Sequence, residues 1–534
     1  MRTRIDHATI ITCRGNDPVV LSDHSVEFRD GVITGVGPTD HVTETNGRPT
    51  NQPPPELKGR PLGTILLATG KVTQEQIQEA LQIQGQSHGV IGQELLHLGY
   101  VSEADIEYAL SIQSGGISQA GTARANDLTV IDGRDCLVIP GLINTHHHLF
   151  QSLTRCAPHV QNACLFDWLV GLYPRWQHLT YDALHLAALI TIAELILNGC
   201  TTTSDHMYLF PPASDVAAEA VLRAAETLGI RIHFCRGSMT LGRSAGGLPP
   251  DECVETDEHV LADSVRVIEL YHDPSPLAMR RIDLAPCAPF NITPALLDQT
   301  RDLAAERDVL LHTHIAETLD EERYCLDRFG VRPLEYLRQH RWLGPNVYLA
   351  HCVHVDEAEI RLLAETSTGV AHCPCSNMRL GSGIAPVCKM LDAGIKVGLA
   401  VDGSSSNDAG NLLAEARQAL LLQRVVNGAG AMSPADAFRL ATAGGAAVLG
   451  RPKLGRIEPA CAADLVLYDA TDIAMAGGAA QDALGALLLC QPSRPKRVIV
   501  AGRTLAQDGR LVGIDQAGLA ADFNQLVRQQ FTNG

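Results

Sequence analysis

Three consecutive histidines, His146, His147 and His148, follow the apolar run VIPGLI. A short apolar run ending in polar residues reads as a strand. Alternate residues of a strand share a face, so His146 and His148 can grip one ion together while His147 turns away. A catalytic metal needs three or four N, O or S ligands and an open position. The run DVLLHTHIAE adds His312 and His314 on one face, either of them a ligand by spacing, with Glu317 three residues further on. NVYLAHCVH carries His351 and His354, and GLAVDGSSSND carries Asp402. Each of these taken singly reads as a satisfied polar residue; four runs ending this way in register point to one shared site. A divalent ion in such a set lowers the pKa of a bound water to roughly 7, so hydrolysis is the chemistry in view. Cys373 and Cys375 in AHCPCSN are assigned to packing, because a lone CxC is a poor zinc motif.

The elements that would hold these groups alternate regularly. Between about 138 and 445 run eight strand-like stretches: LVIPGLIN, CTTTSDH, IRIHFCRGS, RIDLAPCAP, DVLLHTHIAE, NVYLAHCVH, TGVAHCPCSN and KVGLAVDG, separated by helical patterns. Eight βα units is the count of a closed parallel barrel, whose chemistry gathers where the strands end. Each stretch starts apolar and ends polar, as a barrel rim requires. Near the start, ATIITC, VVLSDHSVEFRDG and VITGVG read as antiparallel strands; near the end, RIEPACAADLVLYD and KRVIVAGRTLAQDGRLVG repeat the pattern, with RDG and QDG as hairpin turns. Chain ends often meet. The expected fold is therefore α/β, a (β/α)8 TIM-like barrel plus a small β-sandwich formed by both chain ends. The expected boundaries are 1–44, 125–139 and 449–534 for the β domain with a C-terminal helix, and 140–448 for the barrel. Residues 45–124 are left as an inserted helical module with its linkers.

That insert repeats with a period of 29: PLGTILLATGKVTQEQIQEALQIQ (61–84), then VIGQELLHLGYVSEADIEYALSIQ (90–113). Gly63 matches Gly92, Gly70 matches Gly99, Leu81 matches Leu110 and Gln84 matches Gln113. Each copy predicts two short helices broken by Gly, with Thr73 or Ser102 as N-cap and Glu75 or Asp105 early in the second helix.

Composition narrows the partners. Against 42 Lys+Arg stand 60 Asp+Glu, a net charge of −18, and no basic run is visible, so nucleic acid is not expected. No stretch of about 18 apolar residues marks a membrane span, and the start MRTRIDHATIITCRG lacks the apolar core of a signal peptide. The 15 cysteines are scattered and odd in number, which fits reduced thiols in a cytoplasmic protein.

PGLINTHHH, HTHIAE, LAHCVH and AVDGSSSND resemble the markers of the amidohydrolase superfamily, within its branch of aminohydrolases and chlorohydrolases of purines, pyrimidines and triazines. The resemblance covers everything but the insert. It implies that His146, His148, His314 and Asp402 hold the metal, that His351 is an electrophilic group behind them and that Glu317 shuttles protons; His147, His312 and His354 are then structural. Two-metal branches bridge their ions with a carbamylated lysine; RIDLAPCAP has no lysine, so one divalent ion is expected, Zn2+ first and Fe2+ as alternative. Gln151 matches the glutamine that reads the substrate in guanine deaminases. Those enzymes also place an arginine after strand four; here APCAPFN has none, and Arg236 at the end of strand three is expected to bind a substrate carbonyl or ring anion. Trp168 either caps the substrate by stacking or belongs to loop core.

HHHLFQSLTR, CRGSMTLG, GGLPP, IAETLDEE and SNMRLGSGIAP are most similar to members of the branch that convert 8-oxoguanine to urate and ammonia. The similarity implies a purine base as partner and a homo-oligomer; guanine, isocytosine and s-triazines are the alternative substrates. The insert resembles the tandem-repeat N-terminal domain of type II secretion and type IV pilus ATPases, some of which bind cyclic di-GMP through an Arg-Leu-Gly opening each repeat. Pro61 and Val90 occupy the arginine positions and neither stacks on nor donates to guanine, so cyclic di-GMP is not expected. Docking of another protein, or a tolerated insertion, is the role left to it. An inactive barrel that docks through the insert would have no chemical need for so complete a ligand set.

Overall fold

The computed structural model describes residues 2–15, 17–39, 60–68, 72–87, 90–98, 100–101, 106, 109–110, 128–210, 216–490 and 494–531. It separates into two compact units, Thr3–Thr39 with Val130–Gly534, and Met1–Arg2 with Asp40–Thr129.

The larger unit begins with β1 (Arg2–Arg14), β2 (Asp17–Arg29), β3 (Val32–Pro38), β4 (Leu128–Asp132) and β5 (Cys136–Pro140). Eight barrel strands follow: β6 (Leu142–Asn144), β7 (Cys200–Met207), β8 (Arg231–Ser238), β9 (Arg280–Pro286), β10 (Leu311–Ile315), β11 (Val347–His351), β12 (Gly369–His372) and β13 (Val397–Leu399). The chain closes with β14 (Leu465–Asp469), β15 (Arg497–Val500), β16 (Arg503–Gln507), β17 (Arg510–Leu511) and the helix Gln516–Gln530. Strands β6 to β13 pair in chain order, all parallel. The Thr145 N–H donates to the Leu399 carbonyl at 3.0 Å, joining the last strand to the first. All eight expected βα stretches supply a barrel strand.

The other sheet has nine strands in the order β17-β16-β15-β14-β5-β1-β2-β3, with β4 on β1. Both chain ends feed one core: Ile5, Ile10, Val26 and Phe28 pack with Leu465, Leu467 and Ile499. Threonines and an aspartate start the returning helices of the barrel. Thr180, Thr256, Thr293, Thr318 and Asp356 each accept a first-turn N–H with the side-chain oxygen. Among the described residues no helix is long and apolar enough to cross a membrane.

The stretch LVIPGLIN, expected to be one strand, serves both sheets. Cys136–Pro140 pairs with β1 and β14, and Leu142–Asn144 pairs with β7. Gly141 is the joint. Its N–H donates to the Asp464 carbonyl at 2.9 Å. A Cβ there would lie 1.9 Å from Thr201 Oγ1, so no side chain fits where the chain crosses between sheets.

In the smaller unit, helices Leu62–Ala68, Gln74–Ser87 and Ile91–His97 enclose Ile65, Leu66, Val72, Ile77, Ala80, Leu95 and Ala109. Thr73 and Gln76 cap reciprocally: the Gln76 N–H donates to Thr73 Oγ1 at 3.3 Å and the Thr73 N–H to Gln76 Oε1 at 2.8 Å. The matched glycines mark close helix approaches. A Cβ on Gly63 would lie 3.1 Å from Ile77 Cδ1, and one on Gly92 2.9 Å from Leu62 Cδ2. Gly70, Gly99, Ser102, Asp105 and Gln113 lie outside the described residues.

Replacing Gly141 with alanine forces the two sheets apart at their joint. The expected cost is about 1–3 kcal/mol of stability, the usual range for overpacking, read as a lowered midpoint in thermal unfolding.

Candidate active site

The site is built from hydrogen bonds that fix which nitrogen of each imidazole is bare. His148 Nδ1 donates to the His206 carbonyl at 2.7 Å, and His314 Nδ1 donates to the Cys287 carbonyl at 2.7 Å. A carbonyl can only accept, so both Nε2 atoms carry lone pairs; they face each other at 3.1 Å. His312 Nδ1 donates to the Tyr348 carbonyl at 2.8 Å, which makes its Nε2 an acceptor. His146 Nδ1 donates to that atom at 2.7 Å, leaving His146 Nε2 bare as well, buried and without a partner. His146 and His148 Nε2 each lie 3.4 Å from Asp402 Oδ1. Three converging lone pairs beside a carboxylate repel one another unless a cation sits between them. The donor set therefore fits a divalent ion, with the outer nitrogens anchored as metal-bound histidines usually are. The structure brings His314 to this cluster and places His312 behind His146.

Asp402 is held from the other side by the Gly403 N–H at 2.7 Å and Ser406 Oγ at 3.2 Å. Burial works to raise its pKa, but the imidazoles of His146, His351 and His148 around it hold it well below the usual carboxylate range. His351 Nε2 stands 3.6 Å from Glu317 Oε2 and 3.9 Å from Asp402 Oδ2, while its Nδ1 donates to Asn377 Oδ1 at 2.9 Å. Burial disfavours its cation, yet the carboxylates of Glu317 and Asp402 and the Asn377 amide outweigh this and raise its pKa. Burial pushes Glu317 up to about 7, against the opposing pull of His351. A carboxyl group poised near neutrality suits a group that both gives and takes a proton.

His148, His314, Glu317, His351, Asp402 and Ser406 line one side of a cavity with about 410 Å³ of empty space, part of it open to solvent. Gln151 lies on its wall, with Oε1 unpaired and Nε2 3.5 Å from Tyr208 OH. Trp168 also lines it, with Nε1 donating to the Ser405 carbonyl at 3.3 Å. Arg236 does not line it. Its Nε donates to Asp263 at 2.9 Å, its Nη2 to Glu255 at 2.7 Å, and its guanidinium lies 3.7 Å from the centre of the Phe210 ring. Strand alternation explains the correction: Cys235 belongs to the cluster inside the barrel, so Arg236 turns outward to the helix Asp257–Tyr271 that carries Asp263. The end of β9 instead supplies Cys287 and Asn291. Asn291 Oδ1 accepts the Ala288 N–H at 2.9 Å, which fixes the amide and leaves Nδ2 buried without a conventional acceptor.

His206 is a further member of the cluster: with His146, His148 and His314 it offers ligand atoms within 4.8 Å of one another. It stacks on His314 and donates Nε2–H to the Ala285 carbonyl at 2.7 Å. The signal for it was the SDH that ends the second strand stretch, in register with the other histidines. His354 Nε2 bonds the Ser382 carbonyl at 2.8 Å, and Cys373 is buried at the start of the helix Pro374–Arg379. His147, His354, Cys373 and Cys375 are not among the groups placed to hold a metal.

Residues 137–505 match the amidohydrolase family, and the chain belongs to it. It is 49% identical over 385 residues to 8-oxoguanine deaminase of Pseudomonas aeruginosa, covering 72% of this chain and 85% of the relative. It is 36% identical over 420 residues to isoxanthopterin deaminase of an unknown prokaryotic organism, covering 75% and 87%. Among solved structures, zinc-complexed atrazine chlorohydrolase of Arthrobacter aurescens superimposes with a TM-score of 0.79 at 29% identity, covering 98% of this chain and all of the other.

Burial depresses the pKa of His146, His148, His206 and His314, and pushes His147, His312 and His372 down to about 3. The unfolded chain binds protons at these positions from about pH 6.5, which the native state refuses. Fewer groups oppose them: Asp205, Glu317, Glu321, Glu415 and His351 have raised values. Stability of the metal-free protein is therefore expected to fall as pH drops below 6.5. Replacing His372 with glutamine should flatten that fall, measured as the slope of melting temperature against pH.

Proposed function

We propose that this chain is a hydrolytic deaminase that converts 8-oxoguanine and water to urate and ammonia. The observation that carries the reading is the set of three bare Nε2 atoms and Asp402 facing a buried, near-neutral Glu317 across one cavity. The 49% identity to 8-oxoguanine deaminase supports the substrate. His146, His148, His314 and Asp402 would hold one divalent ion, Zn2+ in the first instance, as in the zinc-complexed chlorohydrolase. Such an ion acidifies a water and supplies positive charge at the reacting carbon. Asp402 accepts the proton of the attacking water. Glu317 gives a proton to the ring nitrogen next to the attacked carbon, collects one from the newly added hydroxyl and passes it to the departing amine, which is a poor leaving group until protonated; the proton held by Asp402 then restores Glu317. The raised pKa of His351 keeps a donor aimed at the oxygen where charge develops. Trp168 and Phe290 wall the cavity as apolar faces for a planar base, and Gln151 and Asn291 read its polar edge. The fifteen free thiols suit a reducing, cytoplasmic setting.

The direct test is ammonia release by the metal-loaded protein from 8-oxoguanine, guanine, isocytosine and hydroxytriazines. The highest kcat/KM is expected for 8-oxoguanine with urate as product; no turnover of it would sink the assignment. Glu317→Gln should retain the ion and lower kcat by about 100- to 10,000-fold. Asp402→Asn should reduce bound metal below one equivalent by elemental analysis. Asn291→Asp keeps the acceptor for Ala288 and swaps the free donor for an acceptor; it should lower kcat/KM for 8-oxoguanine by about 10- to 100-fold.

A further inference from the structure

Glu321 is buried to 1% exposure, and nothing in the reaction scheme uses it. Its carboxylate accepts two adjacent backbone donors: the Ala316 N–H on Oε1 at 3.0 Å and the Glu317 N–H on Oε2 at 2.8 Å. Both peptides lie where β10 ends, and Ala316 is in the left-handed region at φ 51°. That conformation is unfavourable for a residue with a side chain and persists only where its surroundings enforce it. The same peptide is gripped on its far side. The Ala316 carbonyl accepts the N–H groups of Val353 and His354, each at 2.9 Å. Those two residues follow His351 and Cys352, themselves left-handed at φ 72° and 47°. Glu321 thus sits at one end of a main-chain bridge that runs through Ala316 to the loop carrying His351. The bridge spans the two groups that face each other at 3.6 Å, Glu317 Oε2 and His351 Nε2.

The residue type fits the task. Two parallel N–H donors need two acceptors, which a carboxylate has and an amide lacks. Helix starting does not require it, because Thr318 already caps the helix Leu319–Phe329 by accepting the Glu321 N–H.

We propose that Glu321 is a positioning residue: acting through the peptide groups of Ala316 and Glu317, it sets the approach of the Glu317 carboxyl to His351. The proposal rests on the deaminase reading only in that Glu317 is taken as the proton shuttle.

The test uses the metal-loaded full chain, with Glu321→Gln and Glu321→Asp beside wild type and Glu317→Gln. Glu321→Gln is expected to keep its metal and its KM for 8-oxoguanine while kcat falls about 100-fold, the scale of a misplaced catalytic group. Glu321→Asp keeps both acceptors on a shorter arm and should recover part of that loss. Backbone hydrogen exchange should rise in Glu321→Gln at residues 315–318 and 352–354 and little elsewhere. Unchanged kcat, or kcat and KM shifting together, would overturn the proposal, as would unchanged exchange at those residues. Glu317→Gln as active as wild type would instead overturn the deaminase reading. The exchange comparison decides the bridge whatever the substrate is, and Glu321→Asp carries the test if Glu321→Gln does not fold.

Discussion

Neutral imidazoles do not gather with their lone pairs together unless something holds them there. In this chain the holding is done by the backbone of the barrel. His148 leans on the carbonyl of His206 in β7, His314 on that of Cys287 just past β9, and His146 on His312, which leans on Tyr348 in β11. Each imidazole is oriented by a neighbouring segment, so parallel register and ligand geometry are one constraint. A slip of one residue in any of these pairs would turn an accepting carbonyl away and let the tautomer relax. Closure of the barrel brings Asp402 to the same point: its N–H donates to the His146 carbonyl at 3.2 Å.

Strand alternation alone would send some of these side chains outward. Left-handed backbone corrects the direction at three strand ends, at Ala316 before Glu317, at His351 and Cys352, and at Asp402 (φ 62°). Strain of this kind costs of order 1–3 kcal/mol per residue and collects at functional sites. Here the rim is tied down by side chains that never reach the cavity's centre. Asn377 holds His351, and Ser406 holds Asp402. Asn407 bonds both the Val401 carbonyl and the buried Glu415, each at 2.7 Å.

Much of this was legible in the sequence because metal ligands have a chemical signature and barrel strands have a periodic one. His146 and His148 two apart, His314, His351 and Asp402 at the ends of apolar runs, and eight runs in all are local facts that survive folding. What depends on parity over a longer path was less legible. Arg236 ends its strand as the histidines end theirs, but alternation from Cys235 turns it to Asp263 and Glu255. Gly141 divides one apolar run between two sheets, and nothing in VIPGLI marks the crossing except the glycine itself. Asn291 and Cys287 follow their strand in an irregular loop, where spacing assigns no face. Glu321 reads as an ordinary first-turn acid of a helix; its two main-chain partners exist only because Ala316 is left-handed.

The retreat of Arg236 changes the electrostatics of recognition. With its guanidinium taken up by two carboxylates, the cavity wall offers neutral polar groups: Gln151, Tyr208, Asn291 and Cys287. Positive charge would be confined to the end where His351 faces Glu317 and where the imidazole cluster would hold an ion. On the proposed reading, a base bound here would meet neutral donors and acceptors along its far edge and charge only at the carbon to be attacked. Charge placed that way contributes more as the reaction proceeds than it does on binding, because a fixed cation far from the reacting atom would stabilise substrate and transition state alike. Burial of the wall strengthens the distinction, since a substrate lacking a matching donor or acceptor leaves Asn291 or Gln151 unpaired out of reach of water. On the proposed reading the division of labour is spatial: shape and neutral hydrogen bonds would select the base at one end of the cavity, and the clustered imidazoles and carboxylates would act on it at the other.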